Sequence, residues 1–316
     1  MSRGERPVPI TYSSHPPAEH VPTKKHMECE DECAEEECLD PDKCGNDNRP
    51  PKPEHLLCGW MDTRPLLPIT LAVSTVIGMM VMMLLQLPLV SRLFDVSLVG
   101  ISCVSLAVYG ITLGCMTYAA FSDPGQVRKD AKLALVGEVP LPKRAYKSWQ
   151  YKRPVRRFDH YCRWLNNCIG LLNHREFFAM LVGLLAIAVF GIAVDVMLAI
   201  SMINRGFWSV ELLIILHLAY SVALLCLAGP ILRIHLGLVS RNELASEWKR
   251  NDFYVAKSLK RGEFVPVNDL SDDEFNSLFD SFAYDQKRNA FDRGGLKNCF
   301  SFWCIPRWLP DQLGEF

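Results

Sequence analysis

Four long apolar blocks decide what this chain can fold into. The first runs from about Pro65 to Ser91 and the second from about Val96 to Ser122, and neither carries a charge. The third, about Phe177 to Asn204, holds the single acid Asp195, and the fourth, about Phe207 to Leu232, has Glu211 and His217 in its early turns. Each reaches the ~20 mainly apolar residues that a helix needs to cross a bilayer. A chain in hydrocarbon must satisfy its own backbone groups, so such blocks are helices. Core helices of a soluble protein are the alternative, and two uncharged runs of this length argue against it. The expected fold class is an all-α multi-pass membrane protein with four transmembrane helices.

Net charge is −1, so total charge says little about partners, while its distribution says more. Residues 122–176 hold twelve Lys or Arg against five acids, and Arg233, Arg241, Lys249 and Arg250 follow the fourth block. The two short links hold only Arg92 and Arg205. By the positive-inside rule the long middle loop and both termini are cytosolic and the short links lumenal or extracellular. The division expected is a tail over 1–64, helices one and two over 65–121, a cytosolic loop over 122–176, helices three and four over 177–232, and a cytosolic C-terminal region over 233–316. Met1 to Lys25 has no apolar run, so the first span acts as its own insertion signal.

The tail is rich in Pro and acids and is expected to be largely disordered. It contains Cys29, Cys33, Cys38 and Cys44, at spacings that fit no CxxC metal pattern, and a solvated acidic linker is the reading set against a metal site. Asn173 and Glu176 have capping-box spacing at the start of the third span. Ser271 to Phe282 has the pattern of a short amphipathic helix, packed on the protein's own polar region or lying at the membrane surface. Asp195 lies about 27 Å along its helix from Phe177 at ~1.5 Å per residue, near the far interface, where pairing with His217 is an available structural link.

The chemistry concentrates between Arg153 and Glu176, just before the third span. Asp159-His160-Tyr161-Cys162 puts a carboxylate, an imidazole and a thiol within four positions. An imidazole can take the proton of a thiol, and a carboxylate can orient that imidazole. Arg153, Arg156, Arg157 and Arg163 favour a thiolate and are candidates for binding phosphates. Taken alone, D-H-x-C is a weak signal.

The surrounding residues resemble the catalytic core of the DHHC protein S-acyltransferases (palmitoyltransferases), in a DHYC variant. Cys162 to Gly170 follows the family run C-x-W-x-N-N-C-[IV]-G. Asp123-Pro124-Gly125 follows the second span. Ser240-Arg241-Asn242-Glu243 resembles a degenerate TTxE motif, and Asn289 to Asn298 resembles the family's N-x-[FY]-D-x-G-x-x-x-N signature. The likeness covers roughly Leu66 to Arg307. It implies that Cys162 attacks a long-chain acyl-CoA to form an acyl-enzyme, with His160 as general base and Asp159 orienting it. Cysteine thiols of proteins at the membrane surface then accept the acyl group. It also implies that the middle loop is catalytic, that the acyl chain lies among the spans, and that Asn298 braces the catalytic loop. Endoplasmic reticulum or Golgi is the compartment expected. The bilayer is a partner, and nucleic acid is not. Gly110, Gly114, Ala179 and Gly183 are small residues that let spans approach closely.

The sequence departs from the family in two places. Most members carry a cysteine-rich zinc domain before the catalytic motif, and the second His of DHHC is a zinc ligand. Here residues 122–158 contain neither Cys nor His, Tyr161 replaces that His, and Cys168 keeps a ligand position without partners. A structural zinc needs four N or S ligands, so none is expected, and Trp149, Tyr151, Phe158 and Trp164 packing with Pro154 is the substitute. No cofactor is expected. Arg241 stands where the family has the second Thr of TTxE, and the expectation is an ion pair with Asp159, with Glu243 as the motif's acid. A non-catalytic tetraspan scaffold of the same fold is the alternative function. A transporter finds no internal repeat or midplane polar cluster.

Overall fold

The structure is a computed structural model that describes residues 56–57, 61–62, 65–127, 143–202, 208–257, 264–270 and 281–307. The N-terminal cysteines and residues 271–280 of the expected amphipathic helix lie outside them.

Among the described residues, four helices are long and apolar enough to cross a membrane: α1 (Leu66–Phe94), α2 (Leu98–Phe121), α3 (His174–Met202) and α4 (Trp208–Arg241). Their outer faces expose Ile77, Leu84, Val99, Val104, Ile111, Ile200 and Ile215. An apolar belt of this extent suits lipid rather than water. Pro88 has no N–H and its ring crowds the preceding turn, and α1 passes through a π turn at Met82–Gln86 just before it. Gln86 there is fully buried and donates to Asp195 of α3, which also pairs with His217 of α4 at 2.8 Å. Three helices are thereby tied through one buried acid.

At the crossing of α2 and α3, a Cβ on Gly183 would lie 2.1 Å from Thr112 Oγ1. Gly110 and Gly114 have nothing within 4 Å where a Cβ would be, so of these three glycines only Gly183 is a close-approach position. α4 runs to Arg241, past the expected end at Leu232, and this extension carries His235 toward the polar end of the bundle.

The polar segments add short strands that hydropathy did not signal. β1 (Leu56–Leu57) pairs with β2 (Met61–Asp62). β3 (His160–Cys162) and β4 (Asn167–Ile169) form a hairpin, with Asn166 in the left-handed region at its corner. After the short helix α5 (Ala245–Lys249), a three-stranded antiparallel sheet has the order β6 (Phe264–Pro266), β5 (Tyr254–Lys257), β7 (Ser281–Tyr284). Tyr254, Ala256 and Val267 form its core with Trp248, Phe282 and Tyr284. Phe282, expected at the end of a helix, is therefore a strand residue. α6 (Gly295–Cys304) packs back on α4.

Candidate active site

The site is built on the β3–β4 hairpin, between the ends of α2 and α3. Asp123 turns the chain out of α2 by accepting from the N–H groups of Gly125 and Gln126. The carbonyls of Pro124 and Gly125 then accept from Leu172 and Arg156. Gly170 is obligatory here, because a Cβ would sit 2.5 Å from Val155 Cγ1 and 2.8 Å from the Pro124 carbonyl. Asn167 and Asn173 are buried, and both donate to the Ala119 carbonyl at the end of α2. Asn173 also accepts from Gly170 N–H, while Glu176 pairs with Arg307. The expected capping box is thus replaced by a loop clasp and an ion pair.

β3 alternates its side chains, so His160 and Cys162 share a face. Asp159, just before it, is wholly buried. One carboxylate oxygen meets His160 Nδ1 at 2.7 Å, and the other accepts from the Ala245 N–H at 2.9 Å, at the start of α5. With an ionised Asp159 the Nδ1 carries the proton, which leaves Nε2 as the acceptor, and Cys162 lies on the same face of β3. Burial pushes the Asp159 carboxyl up, but His174, the bond from His160 and the nearby His235 more than reverse this, holding it well below the usual carboxylate range. Burial pushes His160 down, and Asp159 and Cys162 outweigh it and raise it to about 10. The raised basicity suits the imidazole to act as a proton acceptor. Cys162 itself is buried in the apolar cluster that contains Leu165, Phe177 and Met180.

Arg241 does not reach Asp159. Its guanidinium pairs with Glu243 at 2.9 Å and contacts Tyr254, so it belongs to the C-terminal sheet. The role expected for Arg241 is filled by the Ala245 backbone N–H. The TTxE-like segment that meets the site is Leu244-Ala245-Ser246-Glu247, four residues beyond the stretch first matched, and it keeps only the acid. Ser246 Oγ donates to the Phe158 carbonyl. Glu247 accepts from Leu244 N–H and forms a two-pronged pair with Arg144, at 2.7 Å from Nε and 2.6 Å from Nη2. Arg144 also bonds to Asn242 and lies 3.7 Å from the centre of the Phe291 ring. Sequence reasoning assigned no role to Glu247, Arg144 or Asn242. Buried Leu244 gives α5 no polar cap, which is the signal that would have announced the helix.

Asn298 donates to the Ser240 carbonyl and to Asp292 and accepts from Arg293 N–H. It ties α6 to the end of α4, and none of these partners belongs to the catalytic loop. Of the four arginines matched to phosphates, Arg157 is buried and donates to Asn242, and Arg156 is half-buried against the Gly125 carbonyl. Arg153 is half-buried and Arg163 exposed.

Cys168 is wholly buried and donates to Ser148 Oγ at 3.1 Å. Burial pushes its thiol up to about 11, against the opposing Ser148 hydroxyl. Zinc requires the thiolate, and the surroundings here are Val155, Phe158, Tyr146, Tyr151 and Tyr161. This donor set does not fit a structural zinc. Tyr161 instead donates to Asn166 at 2.6 Å and meets the Trp149 ring edge-on at 5.1 Å, while Tyr151 donates to Asn167 at 2.6 Å. Trp164 joins the main core rather than this cluster.

A bundle of membrane-length helices with a buried Asp159 paired to a part-buried His160, and a cysteine nucleophile candidate beside them at its polar end, defines the class as a membrane protein with a thiol site. Residues 130–252 match the family described as DHHC palmitoyltransferase. The chain is 29% identical over 217 residues to palmitoyltransferase ZDHHC12 of Mus musculus, covering 60% of this chain and 70% of that one. It is 29% identical over 93 residues to palmitoyltransferase SWF1 of Yarrowia lipolytica, covering 24% of each chain. It is 34% identical over 102 residues to palmitoyltransferase ZDHHC5 of Homo sapiens, covering 29% of this chain and 13% of that one. These matches support the DHHC-type palmitoyltransferase family for this chain.

Proposed function

We propose that this protein is a protein S-acyltransferase that carries a long-chain acyl group on Cys162. The observation that carries this reading is the line from the Ala245 N–H through Asp159 to His160, with Cys162 on the same face of β3 as that imidazole. Asp159 fixes the imidazole tautomer, His160 takes the thiol proton, and the sulfur attacks the acyl-CoA thioester, expelling the CoA thiolate. That leaving group is protonated from His160. The reverse pairing serves the second step, in which His160 takes the proton of an incoming cysteine thiol and the Cys162 thioester is cleaved. The acyl chain lies in hydrocarbon-like surroundings among the spans, worth ~0.8 kcal/mol per buried methylene. Arg153 and Arg163 are the arginines of this loop left to meet CoA phosphates.

In this reading the loop is cytosolic, the membrane is that of the endoplasmic reticulum or Golgi, and the loop folds without structural zinc. The intact Asp159–His160–Cys162 set speaks against the scaffold alternative. Purified protein incubated with labelled long-chain acyl-CoA should acquire a hydroxylamine-sensitive label that Cys162→Ser lacks. No label in the native protein, or an undiminished label in Cys162→Ser, refutes the assignment. Stoichiometric zinc that disappears in Cys168→Ala refutes the metal-free loop.

A further inference from the structure

Three histidines crowd the buried Asp159, and only His160 hydrogen-bonds to it. His235 Nδ1 lies 4.0 Å from one carboxylate oxygen and His174 Nε2 lies 3.9 Å from the other. Both separations are too long for hydrogen bonds. His174 and His235 are 4% and 5% exposed, and among the described residues neither His174 nitrogen nor His235 Nδ1 has a hydrogen-bond partner. Buried polar groups without partners call for an explanation. The acyl-transfer chemistry uses neither histidine.

The ligating atoms of Asp159, His160 and His235 all lie within 4.8 Å of one another. Zinc ligands at about 2.0–2.2 Å in a tetrahedron are ~3.4 Å apart, so adjustments of the order of an ångström bring these three onto one ion. Two imidazoles and a carboxylate are borderline donors suited to a first-row divalent ion, with the fourth position open.

We propose that Asp159, His160 and His235 form an inhibitory binding site for a divalent transition-metal ion of the zinc type. The ion takes the place of the proton that Asp159 and His160 share. One metal–nitrogen and one metal–carboxylate bond form there, a third forms to His235 Nδ1, and the proton displaced from His160 Nδ1 is carried on its Nε2, which can then no longer accept one from Cys162. His160 is then fixed on the ion and no longer serves Cys162. The site lies apart from Cys168, and its three ligands come from β3, the residue just before it, and α4. That the ion inhibits rests on the proposed acyl-transfer reading; that it binds does not.

The test uses the full chain in detergent with two readouts. Cobalt(II) added to Cys162→Ser protein should give the visible absorption of a tetrahedral ion, independently of any activity. His235→Gln should remove that absorption and bind one ion fewer. In otherwise native protein, zinc should block autoacylation and a chelator restore it. His235→Gln, measured against its own metal-free rate, should need at least about tenfold more zinc, since losing a ligand costs no less than losing a partner of one. If His235→Gln is not monodisperse, the cobalt spectrum of Asp159→Asn replaces it and should be equally blank. Cobalt absorption unchanged by these substitutions, or none at all, overturns the site and leaves water as the occupant. Cobalt binding that depends on His235 without zinc inhibition overturns the inhibitory role. Absence of autoacylation in metal-free native protein is the distinct failure of the acyl-transfer reading.

Discussion

Replacing Glu247 by Ala is the sharpest structural test of how the catalytic loop is held. Glu247 and Arg144 face each other with 7% and 2% of their side chains exposed, joined by bonds of 2.6 and 2.7 Å. Removing the carboxylate leaves a guanidinium buried with only its Asn242 bonds and its contact with Phe291. Breaking one side of a buried pair costs ~3–5 kcal/mol, and the Leu244 N–H loses its acceptor as well. With ~2–4 °C of melting shift per kcal/mol for a domain of 150–250 residues, the polar end of the molecule should melt about 6–20 °C lower. Thermal unfolding followed by size-exclusion chromatography in detergent reads this directly. The damage also reaches the chemistry, because α5 carries the Ala245 N–H that holds Asp159. Autoacylation at a temperature below melting should therefore fall too. Replacing both partners, Arg144→Met with Glu247→Leu, should recover much of the stability, since a packed apolar pair avoids the stranded charge. If Glu247→Ala melts within about 2 °C of the native protein, less than one kcal/mol on that scale, the clasp does not hold the loop.

Other consequences are equally direct. Gly170→Ala should cost ~1–3 kcal/mol by overpacking, because the new methyl meets Val155 and the Pro124 carbonyl, and melting measures it. His160 is raised to about 10 in the fold, whereas a free imidazole titrates near ~6.5. Its contribution to stability is complete below about pH 6.5 and is lost as pH rises toward 10. Native protein should therefore lose more melting temperature than His160→Gln between pH 7 and 10, and parallel profiles refute the coupling. Asp159, held low by its neighbours, works in the opposite sense, with its contribution lost only in strong acid as pH falls through the lowered value. Tyr161→Phe removes the bond to Asn166 but keeps the ring on Trp149. It should cost ~1 kcal/mol in melting, with the autoacylation label retained, and loss of the label at full stability would give the hydroxyl a chemical role instead.

The four spans were legible because hydropathy over some twenty residues is a property of one segment at a time. So was the grouping of Asp159, His160 and Cys162, which lie within four residues at and just before one strand. What escaped the sequence depends on pairs far apart in it. Arg144 and Glu247 are separated by 103 positions, and Asp159 and Ala245 by 86. Ala245 acts through its backbone, so no side chain advertises it. The Arg241 expectation failed for a related reason. Arg241 and Glu247 sit either side of the end of α4, and which of them turns toward the site depends on where that helix stops. The apolar block ends near Leu232, but the helix continues to Arg241 and reverses at Asn242, which adopts a left-handed conformation with φ 49°. That reversal sends Arg241 to the sheet and Glu247 to Arg144.

The same geometry supplies bracing for the zinc-free loop proposed above. A zinc site would join the segment around residue 148 to the hairpin at residue 168 through one ion. Here that junction is made by Cys168 against Ser148, by Gln150 to the Cys168 N–H and the Asn166 carbonyl, and by Tyr151 to Asn167. Each bond contributes ~0.5–1.5 kcal/mol, far below the ~10–16 kcal/mol of a structural zinc. The loop is also anchored on its other side, where Arg144 and Arg157 converge on Asn242 and Arg144 on Glu247. Stability that a metal would concentrate at one point is thus spread over contacts with α4, α5 and Phe291. The loop should accordingly be more sensitive to changes in the C-terminal region than a zinc-braced loop. Phe291→Ala removes the face on which Arg144 rests and the packing beneath it, and should cost ~3 kcal/mol or more if the ring behaves as a core aromatic. It should lower the melting temperature and the autoacylation rate together. A Phe291→Ala protein that melts like the native one would mean that the C-terminal region is not a brace, and that the junction around Cys168 holds the loop on its own.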